Sequence, residues 1–287
     1  MKKLILSTAV LAITAGVSST ATAGDIGVSV STDYVSEYVF RGVSFANTAV
    51  QPGIQVSKGG FSAGVWASVG LGQSSALASD EIDIFAGYGW NLTDLVSASV
   101  GATVYHFPES GDVFAFDGNS STFEASLGLS LSTVLSPALT GYYDFTLDAF
   151  TLEGSVSHSF AVADSTSFNV GVTGGFVTGS SAYEWATANT SLSYSFDDQS
   201  SVYVGANYSL NSNNNLNFID AGDLSQVQTA IQAGIADLDE DDLADLANAG
   251  LDLNSLDAVS LARVAGLGGT TTSDNLFWVG TGFSTSF

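Results

Sequence analysis

The chain ends with the stretch Leu276-Phe277-Trp278-Val279-Gly280-Thr281-Gly282-Phe283-Ser284-Thr285-Ser286-Phe287, in which two kinds of side chain alternate. The odd positions are mostly aromatic or β-branched, whereas the even positions after the tryptophan are small or polar. A period of two residues predicts a β-strand whose two faces meet different environments. Because the pattern recurs through the whole chain, it predicts a barrel with lipid outside and water inside.

The sequence contains about twelve alternating segments separated by turn signals, which predicts about twelve strands. The first strand starts at Asp25, and the others are predicted near 52–58, 61–71, 81–90, 95–106, 122–131, 139–147, 150–160, 167–178, 183–196, 202–210 and the end of the chain. Short turns are expected after strands 2, 4, 6, 8 and 10, and longer connections after strands 1, 3, 5 and 11. Strands 7 and 8 are expected to be joined by a tight turn at Asp148-Ala149. The predicted fold is therefore all-β, a transmembrane antiparallel up-and-down β-barrel with both termini on the periplasmic rim.

The first 23 residues have the features of a secretory signal peptide. Lys2 and Lys3 precede an apolar run at 4–17, and Ala21-Thr22-Ala23 forms a small-x-small cleavage site. We therefore expect residues 24–287 to form the exported barrel, located in the outer membrane of a Gram-negative cell. A terminal phenylalanine, Phe287, resembles the signal that the outer-membrane assembly machinery reads.

The composition fits a membrane protein built from strands. Only 12% of the residues are charged, the mean hydropathy is +0.29, and there is no cysteine. Soluble domains carry roughly 25% charged residues. Without the signal peptide, three basic residues remain against 29 acidic residues, a formal net charge of −26. This charge excludes nucleic acid as a partner, and it either keeps the loops soluble or provides a negative field that favours cations.

Aromatic residues are predicted at both ends of the outward faces, as in the two girdles that mark membrane interfaces. The periplasmic girdle is assigned Tyr88, Trp90, Phe160, Phe168, Tyr194, Phe196, Phe283 and Phe287, and the opposite girdle Phe150, Phe176 and Phe277. Outer-membrane lipid is therefore an expected partner.

The segment 211–275 interrupts the alternation with apolar residues at helical spacing, such as Leu224, Val227 and Ile231. We expect a long, acidic, extracellular loop of short helices before the last strand. The triplet Asp237-x-Asp239-x-Asp241 departs from a calcium-binding EF-hand loop, since Asp242 stands where glycine is required. It is interpreted as a solvated acidic face.

Three short blocks follow one another after the predicted cleavage site. They are Tyr38-Val39-Phe40-Arg41-Gly42-Val43-Ser44, Gln51-Pro52-x-Ile54-Gln55 and Gly60-Phe61-x-x-Gly64-Val65-Trp66-x-Ser68. In this order they resemble the TorF-like porin family of Gram-negative outer membranes, over about residues 34–70. The resemblance implies an outer-membrane barrel that acts as a channel and implies no particular substrate.

Arg41 is unusual because almost no other cation lies in the predicted strands. If the first strand continues in phase, Glu37 and Arg41 both point into the lumen, about 13 Å apart and too far to pair. We therefore expect Arg41 to bond carboxylates of other strands, such as Glu81 or Asp83. Two roles are open for it there. Either its guanidinium group is buried and holds the interior side chains in place, or it is a charge at the constriction that contacts permeating solutes.

The predicted inward positions are mostly acidic. The residues assigned to the lumen or its constriction are Glu37, Arg41, Glu81, Asp83, Glu124, Asp144, Asp148 and Glu153. Uncompensated carboxylates in a water-filled bore attract cations, so the sequence predicts a narrow, weakly cation-preferring channel for ions and small solutes.

No enzyme, cofactor or metal site is predicted. The two histidines, His106 and His158, have no nucleophile motif beside them, which makes a lipid hydrolase at the rim the least favoured hypothesis. The main alternative to a channel is a structural or adhesive barrel with a plugged lumen, whose acidic outer loop contacts a partner.

Overall fold

The computed structural model describes residues 26–71, 80–179, 182–212 and 275–287. The predicted signal peptide and the predicted acidic helices lie outside these ranges, so both stay predictions. The described residues contain no α-helix. Accordingly, no helix in these ranges is long and apolar enough to cross a membrane.

Twelve β-strands form the described fold. They are β1 (Gly27–Phe40), β2 (Val43–Lys58), β3 (Phe61–Gly70), β4 (Glu81–Asn91), β5 (Val96–His106), β6 (Ser121–Leu131), β7 (Ala138–Asp144), β8 (Ala149–Ala163), β9 (Thr166–Val177), β10 (Tyr183–Ser195), β11 (Ser200–Asn211) and β12 (Asn275–Ser286).

The strands form one closed antiparallel barrel in which each strand pairs with its neighbours in sequence. β1 closes the ring by pairing with β12, with Val30 opposite Thr285. At this seam Phe287 and Val28 exchange two backbone hydrogen bonds of 2.8 and 3.1 Å. Closure therefore covers the edges of the first and last strands along their paired length. The prediction of a twelve-stranded up-and-down barrel is therefore confirmed.

The outer face of the barrel is apolar, as the alternation predicts. In β12 the outward Phe277 is 64% exposed, whereas its inward neighbour Trp278 is 5% exposed. In β6, Leu127, Leu129 and Leu131 are exposed in the same way. All eleven aromatic residues assigned to the two girdles have exposed side chains.

The connections separate into two rims. The first rim carries the described N-terminal end, Phe287 and the connections 59–60, 92–95, 132–137, 164–165 and 196–199. The second rim carries the connections 41–42, 71–80, 107–120, 145–148 and 178–182, together with the strand ends at 211 and 275.

Two predicted boundaries are wrong. The long connection expected after the first strand is a two-residue turn, because β2 starts at Val43 rather than near Pro52. The turn expected at Asp148-Ala149 spans 145–148, so β7 ends at Asp144. In the first case residues assigned to a loop belong to β2, and in the second case apolar residues assigned to a strand belong to the turn.

The cluster of buried apolar side chains lies inside the barrel. It joins Val35, Tyr38, Ala46, Ala49, Trp66, Leu276 and Trp278. Three of these residues are large aromatics on the inward face, where a wide water-filled pore would carry small polar side chains. The interior near the β1–β2 hairpin is therefore filled by protein.

Candidate channel interior

The β1–β2 hairpin leaves the barrel wall about halfway along its length. β1 pairs with β12 only from Ser29 to Val35, although its pairing with β2 continues to Phe40. β2 likewise pairs with β3 only from Ala49 onward. Residues 36–48, which we call the hairpin tip, thus extend beyond both neighbouring ladders, although the Val279 amide still donates to the Ser36 hydroxyl and the Leu71 amide to the Thr48 carbonyl. A register shift between Tyr38 and Val39 bends the hairpin at this point.

The turn at the end of the hairpin tip requires an unusual backbone. Arg41 and Gly42 have φ angles of 49° and 78°, the paired left-handed conformation of a two-residue hairpin turn. A Cβ atom on Gly42 would lie 2.6 Å from the Cβ atom of Trp185, so only glycine fits here. The Asn211 side-chain amide donates a hydrogen bond of 2.7 Å to the Gly42 carbonyl. The turn is therefore docked against β10 and β11.

A bidentate ion pair fixes Arg41 to the far side of the lumen. Its two terminal nitrogens donate to the two carboxylate oxygens of Glu124 on β6, at 2.7 and 3.0 Å. The Tyr105 hydroxyl donates to the same carboxylate at 3.0 Å. The guanidinium also lies over the Phe40 and Tyr142 rings, with centroids 4.7 and 4.3 Å away. Fork geometry and ring stacking both favour arginine over lysine at this place.

Aromatic contacts join the hairpin tip to the wall on its other side. The Tyr38 ring lies 5.5 Å from the Trp66 ring on β3, and the Phe40 ring lies 5.8 Å from the Tyr105 ring on β5. Phe45 packs against Tyr38 within the tip. Together with the contacts to β6, β7, β10 and β11, these pairs show that the tip crosses the lumen near the second rim.

Arg41 bonds a carboxylate of another strand, as predicted, but not one of the two acids suggested for it. Glu81 and Asp83 on β4 were expected, and Glu124 on β6 is found. The two-residue turn carries Arg41 past β4, and the hydroxyl of Tyr38 hydrogen bonds to Glu81 instead.

Most of the acidic residues assigned to the lumen lie inside the barrel. The buried members of the predicted set are Glu37, Glu81, Asp83, Glu124, Asp144 and Glu153. Glu37 accepts a hydrogen bond of 2.6 Å from the Ser44 hydroxyl within the hairpin tip. Asp144 accepts from the backbone amides of Thr146 and Leu147, at 2.8 Å each, and so holds the β7–β8 turn. Their role in permeation stays a prediction.

Asp148 does not lie with these acids, which corrects its predicted inward position. It is exposed in the β7–β8 turn, with a φ angle of 52°, and accepts a hydrogen bond from the Tyr143 hydroxyl on the outer face. The misplaced strand boundary explains the error, since a turn residue has no inward side.

The interior carries a strong excess of negative charge. In the part of the chain that the structure describes, Arg41 and Lys58 are the only lysine or arginine residues. Arg41 is paired with Glu124, and Lys58 is exposed at the first-rim end of β2. The other interior carboxylates therefore have no basic side chain as a partner among the described residues.

Two small cavities remain beside the hairpin tip. The larger, of about 50 Å³, is lined by Asp33, Glu37, Gln51 and Asn207 among others, between the base of the hairpin and β10–β12. The smaller, of about 10 Å³, lies beside Glu124 and Tyr142. Both are lined partly by polar groups, which suits water or a small ion rather than a large solute.

Two aspartates outside the strands are held by backbone amides. Asp117 in the 107–120 connection accepts from the amides of Ser120 and Asn119, and these bonds lower its pKa. Asp197 in the β10–β11 turn accepts from Gln199 and Ser200, with the same effect on its pKa. Each carboxylate organises a turn at a rim and takes no part in the interior.

The histidines do not form an accessible catalytic pair in the described ranges. His106 Nδ1 lies 3.0 Å from the Ser120 carbonyl and 3.1 Å from the Ser121 hydroxyl, but both side chains are buried and Ser121 donates to the Val113 carbonyl. His158 Nδ1 lies 2.7 Å from the Val134 carbonyl. In the same ranges, no three histidine, cysteine, aspartate or glutamate side chains converge as a metal site.

Sequence reasoning missed the aromatic side chains that receive the hairpin tip. They are Tyr38, Phe40, Trp66, Tyr105, Tyr142 and Trp185. A signal for several of them was present, since Trp66, Tyr142 and Trp185 are bulky residues on the inward side of their strands. Inward aromatics indicate that something packs against them.

Comparisons with known proteins concern the family and the general fold. A family model described as "Bacterial protein of unknown function (Gcw_chp)" matches residues 19–141. This match does not test the resemblance to TorF-like porins, which stays a prediction. The search of curated proteins finds no significant match.

Similar solved structures are outer-membrane barrels of low sequence identity. The COG4313 outer membrane channel from Pseudomonas putida F1 is 9% identical, with a TM-score of 0.46 and coverage of 91% of this chain and 94% of that one. A KdgM porin is 16% identical, with a TM-score of 0.44 and coverage of 64% and 96%. A NanC porin is 14% identical, with a TM-score of 0.41 and coverage of 63% and 87%. Similarities at this level carry no argument about the function of this chain.

Proposed function

We propose that this chain is an outer-membrane channel of a Gram-negative bacterium that passes small cations and small polar solutes. The observation that carries the proposal is a closed barrel with an apolar outer face and an acidic interior. Such a barrel is stable only where hydrocarbon surrounds it and polar groups are satisfied within. The TorF-like blocks and the exposed terminal Phe287, proposed as the assembly signal, support the same location.

A cation preference follows from the charges of the interior. Asp33, Glu37 and Glu153 lie inside the barrel with no basic partner among the described residues, while Arg41 is neutralised by Glu124. Carboxylates in a narrow bore with low-dielectric walls attract cations and repel anions. The selective groups are therefore the acids beside the hairpin tip.

The position of the hairpin tip in the lumen indicates that the permeating solutes are small. The tip crosses the lumen from β1–β2 to β6 and β7, and the cavities of about 50 and 10 Å³ lie beside it. Ions and small solutes are the class that such a constriction admits while the tip stays docked.

One observation favours a second function. The same tip, tied by an ion pair and several ring contacts, is suited to closing the lumen permanently. In that case the chain is a structural or adhesive barrel whose working part is the acidic segment 211–275.

Single-channel recording in planar bilayers under a salt gradient tests the proposal. We expect a small conductance with a reversal potential on the cation side, and a weaker cation preference in Glu37→Gln, because this acid lines the larger cavity. Asp197→Asn at the rim is the matched control and should leave the reversal potential unchanged. A silent barrel, or an anion preference, would contradict the channel.

Deletion of residues 220–269 separates the two functions. If neither chain conducts, the docked hairpin tip closes the lumen and the second function is favoured. If only the shortened chain conducts, the acidic segment plugs a lumen that the tip leaves open. Equal conductance of both chains would leave the segment as a surface feature.

A further inference from the structure

Two carboxylates begin β4 and face the interior side by side. Glu81 and Asp83 are two residues apart in a strand, so their side chains lie on the same face. They are 3% and 1% exposed, and Asp83 is the largest side chain with less than 2% exposure among the described residues. Glu81 accepts a hydrogen bond from the Tyr38 hydroxyl of the hairpin tip.

Asp83 has no donor for either oxygen among the described residues. Both of its carboxylate oxygens are buried and receive no hydrogen bond. The Glu81 carboxyl group lies within hydrogen-bonding reach of Asp83, but two charged carboxylates only accept, so a proton or a cation must lie between them. The indole N–H of Trp66, directly opposite Asp83 in the ladder, is itself unpartnered and therefore does not serve this carboxylate.

The protein supplies no cation to these two acids within the described ranges. Arg41 is committed to Glu124, and Lys58 lies at the opposite rim. Buried carboxylates in proteins are paired, coordinate metals or hold protons. An external positive charge is thus required if both groups are ionised.

We propose that Glu81 and Asp83, together with the Tyr38 hydroxyl, bind one hard divalent cation such as calcium. Two carboxylates balance the two charges of the ion, and oxygen ligands are the type that calcium and magnesium prefer. Since no third acid converges on the pair in the described ranges, water completes the coordination shell. Because Tyr38 belongs to the hairpin tip, the ion fastens the tip to the wall at β4.

The site goes beyond the proposed channel function and does not depend on it. Cation binding is measured on the folded chain in detergent, where no transport takes place. A barrel that does not conduct can still bind the ion, and a conducting barrel can lack the site. The two proposals therefore fail independently.

Terbium luminescence is the direct test, because terbium occupies calcium sites and is excited through nearby aromatic rings. Trp66 and Tyr38 lie beside the proposed site. The acidic segment 211–275 contains no tryptophan or tyrosine, so terbium bound within it is poorly sensitised. The part of the emission that Trp66→Phe removes therefore reports on the barrel interior.

We expect saturable emission from the full chain that excess calcium displaces, and at least a tenfold loss of affinity in Asp83→Asn and in Glu81→Gln. Glu153→Gln, which changes a buried inward acid on β8, is the matched control and should keep the affinity. Trp66→Phe keeps both carboxylates, so it should lower the emission without changing the calcium concentration that displaces terbium.

Emission that is absent from the full chain, or unchanged in Asp83→Asn, overturns the proposal. In that case a shared proton neutralises the pair. If a carboxylate variant does not fold, the full chain and Trp66→Phe still test the proposal. Both must show terbium emission that calcium displaces, and the absence of such emission from either one contradicts the proposed site.

Discussion

At the scale of the residue, Arg41 determines how the interior is organised. It holds a left-handed backbone conformation that costs a non-glycine residue on the order of 1–3 kcal/mol. The bidentate bond to Glu124 and the two flanking rings offset this cost. Strain at one position is therefore maintained by contacts with strands on the far side of the lumen.

Replacing Arg41 by glutamine should destabilise the barrel by about 3–5 kcal/mol, because Glu124 is left buried without a charge partner. The measurement is urea unfolding in detergent micelles, followed by tryptophan fluorescence. The double variant Arg41→Gln with Glu124→Gln should recover a large part of the loss, since no buried charge then remains. Equal stability of the single variant and the native chain would contradict the buried pair.

The sequence singled out Arg41 because cations are rare in this chain, but it could not identify its partner. Composition and spacing locate a charge along its own strand. They do not say which of several inward acids lies across a lumen whose filling is unknown. The same limit explains why Asp148 was wrongly assigned to the lumen, because the end of β7 was predicted at Leu147 rather than at Asp144.

At the scale of the element, the β1–β2 hairpin is the main departure from a regular barrel. The two residues Arg41 and Gly42 lack the Asn-Gly or Asp-Gly signature by which such turns are recognised. The predicted loop therefore covered residues that extend two long strands. Regular strands such as β4 and β6 were predicted to within about one residue, because lipid on one side and polar groups on the other impose strict alternation.

Two glycines in different turns, Gly42 between β1 and β2 and Gly59 between β2 and β3, offer a matched pair of substitutions. Gly42 and Gly59 both have positive φ angles, but a Cβ atom on Gly59 meets nothing within 4 Å. Gly59→Ala should cost about 1–2 kcal/mol from the left-handed conformation alone. Gly42→Ala should cost about 1–3 kcal/mol more, because the added atom overlaps Trp185.

Unfolding midpoints in urea give both values. A loss of stability in Gly59→Ala as large as that in Gly42→Ala would mean that the hairpin tip is not docked against β10.

At the scale of the whole molecule, the barrel separates two environments. Its outer face carries exposed leucine, valine and aromatic side chains, and its inner face carries acids, hydroxyls and the hairpin tip. This division was readable from the sequence, since it repeats in every strand. The filling of the interior was not, because contacts between distant strands leave no periodic pattern.

A lysine on the outer face should be far more costly than one on the inner face. Leu127 is 60% exposed near the middle of β6, and Ser126 is its inward neighbour beside Glu124. Leu127→Lys should lose about 2–4 kcal/mol in a lipid bilayer. Ser126→Lys should lose less, because it meets an acidic interior. Stability in liposomes, measured by urea titration, gives both values, and equal losses would contradict a lipid-facing outer surface.

Crosslinking across the lumen tests most directly whether the hairpin tip lies inside the barrel. The chain has no cysteine, so Arg41→Cys combined with Glu124→Cys presents two unique thiols to a short bifunctional methanethiosulfonate reagent. We expect an intramolecular bridge between positions 41 and 124 in most folded molecules, detected by mass spectrometry. The control, Arg41→Cys with Leu127→Cys on the outer face of the same strand, should not be bridged. If both thiols of the first variant react with a monofunctional reagent but are never bridged, the hairpin tip does not cross the lumen.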